Sequence, residues 1–126
     1  MQDERIVKLA KTLVNYSCGL KKGEKVLIEA KGVDYMLPMA IVREAFKVGA
    51  YPFVEISDNR VTREMLMGNS KEYAALRAKY DGYRMADMDA YIGIRGGENC
   101  NENSDVPENN IKIESEIYSH PVHHEL

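Results

Sequence analysis

The sequence predicts an α/β fold, a three-layer, open, mostly parallel sheet with flanking helices, and two observations carry the prediction. Short apolar runs of strand length alternate with amphipathic stretches of helix length. The segment joining the first two runs also has the length that a right-handed parallel crossover needs.

Each element has its own local reason. Ile6, Leu9, Ala10, Leu13 and Val14 recur at helical spacing behind Asp3 and Glu4, whose negative charge suits a helix N-terminus, so a helix is expected from Asp3 to Cys18. Gly19 supplies its stop, and Lys21-Lys22-Gly23-Glu24 turns into Lys25-Val-Leu-Ile-Glu-Ala30, a run suited to a strand buried on both faces. Asp34 offers a cap to a second helix with Leu37, Ile41, Ala45 and Val48 on one stripe, and Pro38 falls in its first turn, where a missing N–H matters little. Pro52 to Ser57 reads as the second strand. Asn59 or Thr62 then starts a turn broken by Gly68, Ser70 caps a helix expected to end at Asp81-Gly82, and Tyr83 to Met88 reads as a further short helix. Ala90 to Ile94, bounded by Gly96-Gly97, is the third strand. The methionines at 36, 39, 65, 67, 85 and 88 and the tyrosines at 73, 80, 83 and 91 fall at spacings expected of core positions.

Composition narrows the class of function. A length of 126 residues suits one globular domain, and a net charge of −3 with interspersed lysines and arginines offers no basic face for nucleic acid. Met36 to Val42 is the longest uncharged apolar run, far short of the roughly 20 residues of a membrane span. Two cysteines outside any C-x-x-C spacing, Cys18 and Cys100, and a charged N-terminus point to a reducing, cytoplasmic location.

The candidate sites are few. Gly93-Ile-Arg-Gly-Gly-Glu98 follows a strand, where a glycine-rich loop is able to present backbone N–H groups to a ligand. It is not G-x-G-x-x-G, no amphipathic helix opens after it and no P-loop lysine is present, so a structural or cleft-lining turn stands beside an anion or nucleotide module at Gly93–Gly97. Arg95, Glu98, Asn99, Asn101, Glu102 and Asp105 put polar groups there that suit a peptide substrate, an adjoining domain or water alone. His120, His123 and His124 with Glu116 and Glu125 have metal-capable side chains, but Pro121 interrupts the helix that would align His120 with His124. His124-Glu125-Leu126 matches only the opening of H-E-x-x-H, and ordinary hydrogen bonding within a linker accounts equally for these histidines. The cysteines have no identifiable histidine partner, and no G-x-S-x-G occurs. Composition and spacing stop at an α/β domain.

An ordered set of motifs goes further. Gly19-Leu-Lys-Lys-Gly-Glu-Lys-Val-Leu-Ile-Glu29, Arg43-Glu-Ala-Phe-Lys-Val-Gly-Ala50, Ala90-Tyr-Ile-Gly-Ile-Arg-Gly-Gly-Glu-Asn99, Ser104-Asp-Val-Pro107 and Pro121-Val-His-His-Glu-Leu126 together resemble the start of the aminopeptidase T and aminopeptidase S family. Cys100 departs from the proline or small residue expected there. The resemblance implies the N-terminal, Rossmann-like domain of a longer cytoplasmic metallopeptidase, a homodimer that removes N-terminal residues from peptides. It implies two divalent ions (Zn, Co or Mn) bound outside this chain, with no metal ligand or catalytic residue within it. Residues 1–107 would form the α/β domain and 108–126 a helical linker toward a C-terminal catalytic domain, the chain reading as cut at its end. Arg95, Glu98 and Asn99 are the expected substrate-cleft residues, and the isolated chain is expected to be inactive.

Overall fold

A computed structural model describes residues 3–96 and 105–123. The chain divides into two compact units, Met1–Ser57 with Met88–Gly97, and Asp58–Asp87 with Glu98–Leu126.

The first unit is built on a parallel sheet of order β2-β1-β3, from β1 (Lys25–Lys31), β2 (Tyr51–Ser57) and β3 (Ala90–Arg95). Val26, Ile28 and Ala30 of central β1 are buried, and so are Leu27 and Glu29 on its opposite face. Two-sided burial is why this strand reads as an unbroken apolar run. Helix α1 (Glu4–Thr12) and helix α2 (Met36–Lys47) close one face, where Ala10, Val14, Ala40, Ile41 and Ala45 pack with Val26, Ile28 and Ile92. Each fully buried valine or isoleucine contributes about 1.5–3 kcal/mol.

Local signals set the ends of these helices. The Arg5 N–H donates to Asp3 Oδ1 at 2.8 Å, so Asp3 caps α1, while the cap position of α2 falls on Tyr35, one residue beyond the expected Asp34, whose Oδ1 accepts from the Met36 N–H at 3.0 Å. α1 continues into a widened π turn over Leu13–Ser17, and Gly19, at φ +56, lets Leu20 N–H return to the Val14 carbonyl at 2.9 Å. Buried Glu44 of α2 accepts from Lys47 Nζ at 3.0 Å, which keeps its charge compensated.

The second unit is helical: α3 (Asn59–Met67), α4 (Lys71–Ala86), α5 (Glu108–Ile113) and α6 (His120–His123), the last two joined by a π turn over Glu114–Ser119. Asp58 and Ser70 accept from Arg60 N–H at 2.8 Å and Tyr73 N–H at 3.1 Å, and Gly68 ends α3. α4 does not stop at Asp81-Gly82. It runs on through the short helix expected from Tyr83, because Ala74, Ala78 and Met85 pack against Ile113, Tyr118 and Val122, while Asp81 accepts the Tyr118 hydroxyl. That packing outweighs the roughly 1 kcal/mol by which glycine disfavours a helix interior. Pro121 does not end the helical path either, since the chain stays helical to His123 and the irregularity falls in the wide turn just before the proline.

The core assignment of the tyrosines is corrected. Tyr73, Tyr80 and Tyr83 are exposed on α4, as are Met39 and Met67 on their helices, because periodicity identifies a stripe without saying which stripe is covered.

Candidate functional site at the carboxyl edge of the sheet

β1 has β2 on one side and β3 on the other, so strand order reverses between β1 and β3. In open parallel sheets ligands bind outside the carboxyl ends of the strands at such a reversal. Here that place is formed by Lys31 at the end of β1 with Gly32 and Val33 after it, and by Arg95 at the end of β3 with Gly96 after it.

The two strand ends meet with no room between them. A Cβ built on Gly96 would lie 1.9 Å from the Gly32 carbonyl oxygen, a distance that only glycine permits. The Gly96 N–H donates to Lys31 O at 2.8 Å and the Gly32 N–H to Ser57 O at 3.0 Å, which ties all three strand ends together. The described glycines of the Gly93–Gly97 stretch therefore serve strand packing: Gly93 lies inside β3, and the Gly96 N–H is committed to the sheet. The nucleotide reading of this stretch gains no support from them. Gly97, Glu98, Asn99, Cys100, Asn101 and Glu102 lie outside the described residues.

Strand register arranges the face of this sheet opposite α1 and α2 in rows, because paired residues of neighbouring strands share a face. Leu27 lies between Phe53 and Tyr91, Glu29 between Glu55 and Gly93, and Lys31 between Ser57 and Arg95. Glu29 is only 5% exposed, an unusual place for a carboxylate. Its partner is Tyr91. The phenol ring lies along β3 over Gly93, where an added Cβ would meet Tyr91 Oη at 2.9 Å, and its hydroxyl bonds with the Glu29 carboxylate and the Arg95 guanidinium. Burial, then the Glu29 charge and its hydrogen bond, push the Tyr91 pKa up to about 12 against the opposing pull of Arg95. The phenol thus stays protonated, donating to Glu29 and accepting from Arg95. Sequence reasoning selected Arg95 but missed Glu29, Lys31, Ser57 and Tyr91. The alternation of charge within Glu29-Ala30-Lys31 was the one available signal, and its meaning depended on register with β3.

The second unit has a polar centre of its own. Arg77 Nη1 donates to both oxygens of Glu114, at 2.6 and 2.9 Å, and its guanidinium stacks on the Tyr118 ring at 4.1 Å. Burial alone would lower the Arg77 pKa, but the bonds to Glu114 outweigh it and hold the group above its ordinary value. Asn69 Nδ2 donates to the Asn110 carbonyl at 3.1 Å and Asn110 Nδ2 to the Leu66 carbonyl at 2.9 Å, closing the end of α3. These groups are satisfied by one another, as a structural network requires.

The metal-capable histidines do not converge within the described region. His123 packs edge-on against Tyr118, with centroids 6.0 Å apart, His120 and Glu116 are exposed, and His124 and Glu125 lie outside the described residues. Among the described residues no group of three or more His, Cys, Asp and Glu side chains is placed to hold a metal ion. Burial raises the Cys18 pKa, opposite to the direction that activates a thiol. No described helix is long and apolar enough to cross a membrane.

The fold and site together define an α/β domain with a row of polar side chains at the switch of a parallel sheet. The sequence profile of the family described as Thermophilic metalloprotease (M29) matches residues 2–124, and the chain belongs to that family. Among solved structures it is similar to wild-type AmpT from Thermus thermophilus, with a TM-score of 0.71 and 16% identity over 93% of this chain and 30% of that one. The chain therefore spans about 30% of the length of that structure. No curated protein matches it.

Proposed function

We propose that this chain is the non-catalytic N-terminal domain of a metal-dependent aminopeptidase, helping to wall the space in which peptides are held while hydrolysis takes place elsewhere in the parent protein. The observation that carries the reading is the family match across residues 2–124, in a chain aligned over 93% of its length with only 30% of a longer structure. In this reading the divalent ions, zinc, cobalt or manganese, are bound by the remainder of the parent. The segment 108–126 leads toward that remainder, and Arg95, Glu98 and Asn99 line the substrate cleft. A cytoplasmic homodimer acting on peptides is the proposed whole.

The test is direct. The isolated 126-residue chain is assayed with cobalt or zinc on an aminoacyl chromogenic substrate beside the full-length parent. Turnover by the parent and none by the chain is the expected result, and robust turnover by the chain alone overturns the non-catalytic assignment. Chelation is expected to abolish the parent's activity while leaving the thermal midpoint of the isolated chain unchanged.

A further inference from the structure

We infer that the row formed by Ser57, Lys31 and Arg95 takes the C-terminal carboxylate of a short peptide, with Glu29 and Tyr91 as positioning residues for Arg95. The inference rests on the peptidase reading for its substrate and on the sheet for its chemistry.

Lys31 and Arg95 are register partners on adjacent strands, so two cations stand side by side at the carboxyl edge of the sheet, on strands roughly 4.8 Å apart. Like charges directly opposite on paired strands are unfavourable. An anion placed between them removes that repulsion and converts it into binding. Ser57, paired with Lys31 from the other side, brings a hydroxyl to the same row. The three groups come from three strands and share one row at the edge where open parallel sheets bind ligands.

The row is preorganised. The Gly96–Gly32 approach and the two backbone bonds at the strand ends fix the spacing of β1, β2 and β3. Tyr91, held down by Glu29, accepts a bond from the Arg95 guanidinium. A guanidinium presents several N–H donors in a planar fork, so one bond to a phenol oxygen orients it while most of the fork remains suited to a carboxylate. Fixing a flexible arginine before the ligand arrives removes part of the entropy lost on binding.

The same rows select the kind of anion. Lys31 and Arg95 carry two positive charges, and Glu29 and Glu55, one row back, carry two negative ones. Among the described residues of these two rows the charges balance, which favours a singly charged planar carboxylate over a doubly charged phosphate. On a peptide whose amine end is being processed, the far end carries that carboxylate.

The experiment titrates the 126-residue chain, labelled at arginine Nε, with trialanine, trialanine amide and inorganic phosphate, following the Arg95 Nε–H resonance. Trialanine is expected to bind saturably, with the amide and phosphate weaker by about tenfold, the worth of one charge-assisted bond. Arg95→Gln is expected to weaken trialanine about tenfold and leave the amide unchanged, with Arg95→Lys recovering part of the loss. Tyr91→Phe should weaken trialanine about threefold through orientation alone. Equal binding of acid and amide, tighter binding of phosphate, or an Arg95→Gln variant that binds like wild type overturns the site. In the metal-loaded parent, Arg95→Gln should raise KM for trialanine with kcat unchanged and leave trialanine amide unaffected. A parent without peptidase activity, in the presence of the expected titration, sinks the peptidase reading and leaves the carboxylate site standing. Activity with no acid preference does the reverse.

Discussion

Replacing Gly96 by alanine places the heaviest single demand on the sheet. The added Cβ would sit 1.9 Å from the Gly32 carbonyl oxygen and 2.6 Å from its carbon, against about 3.0 Å for the closest real contacts. One strand end must therefore move by roughly 1 Å. Neither partner is a pliable side chain, because both atoms belong to backbone. The cheapest relief frays β3 at its carboxyl end and gives up the bond from Gly96 N–H to Lys31 O. That bond is worth about 0.5–1.5 kcal/mol net, and a carbonyl left partly buried adds about 1 kcal/mol more. A total of about 1.5–2.5 kcal/mol is expected. With a urea dependence of roughly 1–3 kcal/mol per molar, the unfolding midpoint of the 126-residue chain should fall by about 1 M. The control is Gly93→Ala, whose Cβ meets Tyr91 Oη at 2.9 Å, the mobile end of a side chain. It should destabilise by about 1 kcal/mol, chiefly by turning the phenol away from Glu29. A Gly96→Ala midpoint equal to wild type, or a larger effect at Gly93 than at Gly96, would refute the close-approach argument.

Three other outcomes follow from the same structure. Tyr91 titrates near 12 instead of 10, so its contribution is whole below pH 10 and is lost as pH rises through 12. The shift corresponds to about 2.7 kcal/mol in full, and solvent screening of a phenol that is 36% exposed reduces it to about 1 kcal/mol. Ultraviolet titration should show one late-ionising tyrosine that vanishes in Tyr91→Phe. Arg77→Ala should destabilise by about 2–4 kcal/mol, since it strands the Glu114 carboxylate, whose side chain is 18% exposed. Chemical denaturation should find most of that recovered in Arg77→Met with Glu114→Leu, and an additive double variant would argue against the pair. Hydrogen bonds from the Arg60 side chain, and then its backbone, lower the Asp58 pKa to about 2. Stability from this charge is present above the ordinary carboxylate pKa and is lost as pH falls through 2. Asp58→Asn keeps the cap and should flatten that acid limb, which a thermal-midpoint profile would show.

Most of the elements were legible in the chain because their causes are local. The apolar run from Lys25 to Ala30, the Gly68 stop and the Ser70 cap each act within a few residues, and each is where the pattern placed it. Where the reading failed, a distant partner had intervened. Asp81-Gly82 has the local form of a helix end, yet Asp81 is held by Tyr118 and α4 is pinned along Ala74, Ala78 and Met85. Tyr73, Tyr80 and Tyr83 form a regular stripe, but the opposite stripe of α4 is the one that packs.

The same division holds for function. The family was legible from ordered motifs without any coordinates, and so was Arg95 as a residue of interest, since it follows a strand and precedes glycines. What tertiary structure alone decided is the company Arg95 keeps. Parallel pairing sets Lys31 and Ser57 in its row, and Gly93 clears the surface over which Tyr91 reaches Glu29. A strand sequence specifies which side chains share a face, but not which strand comes to lie beside it. The chemistry of this edge arises from that second choice, made when the chain returns from its helical unit to place β3 against β1.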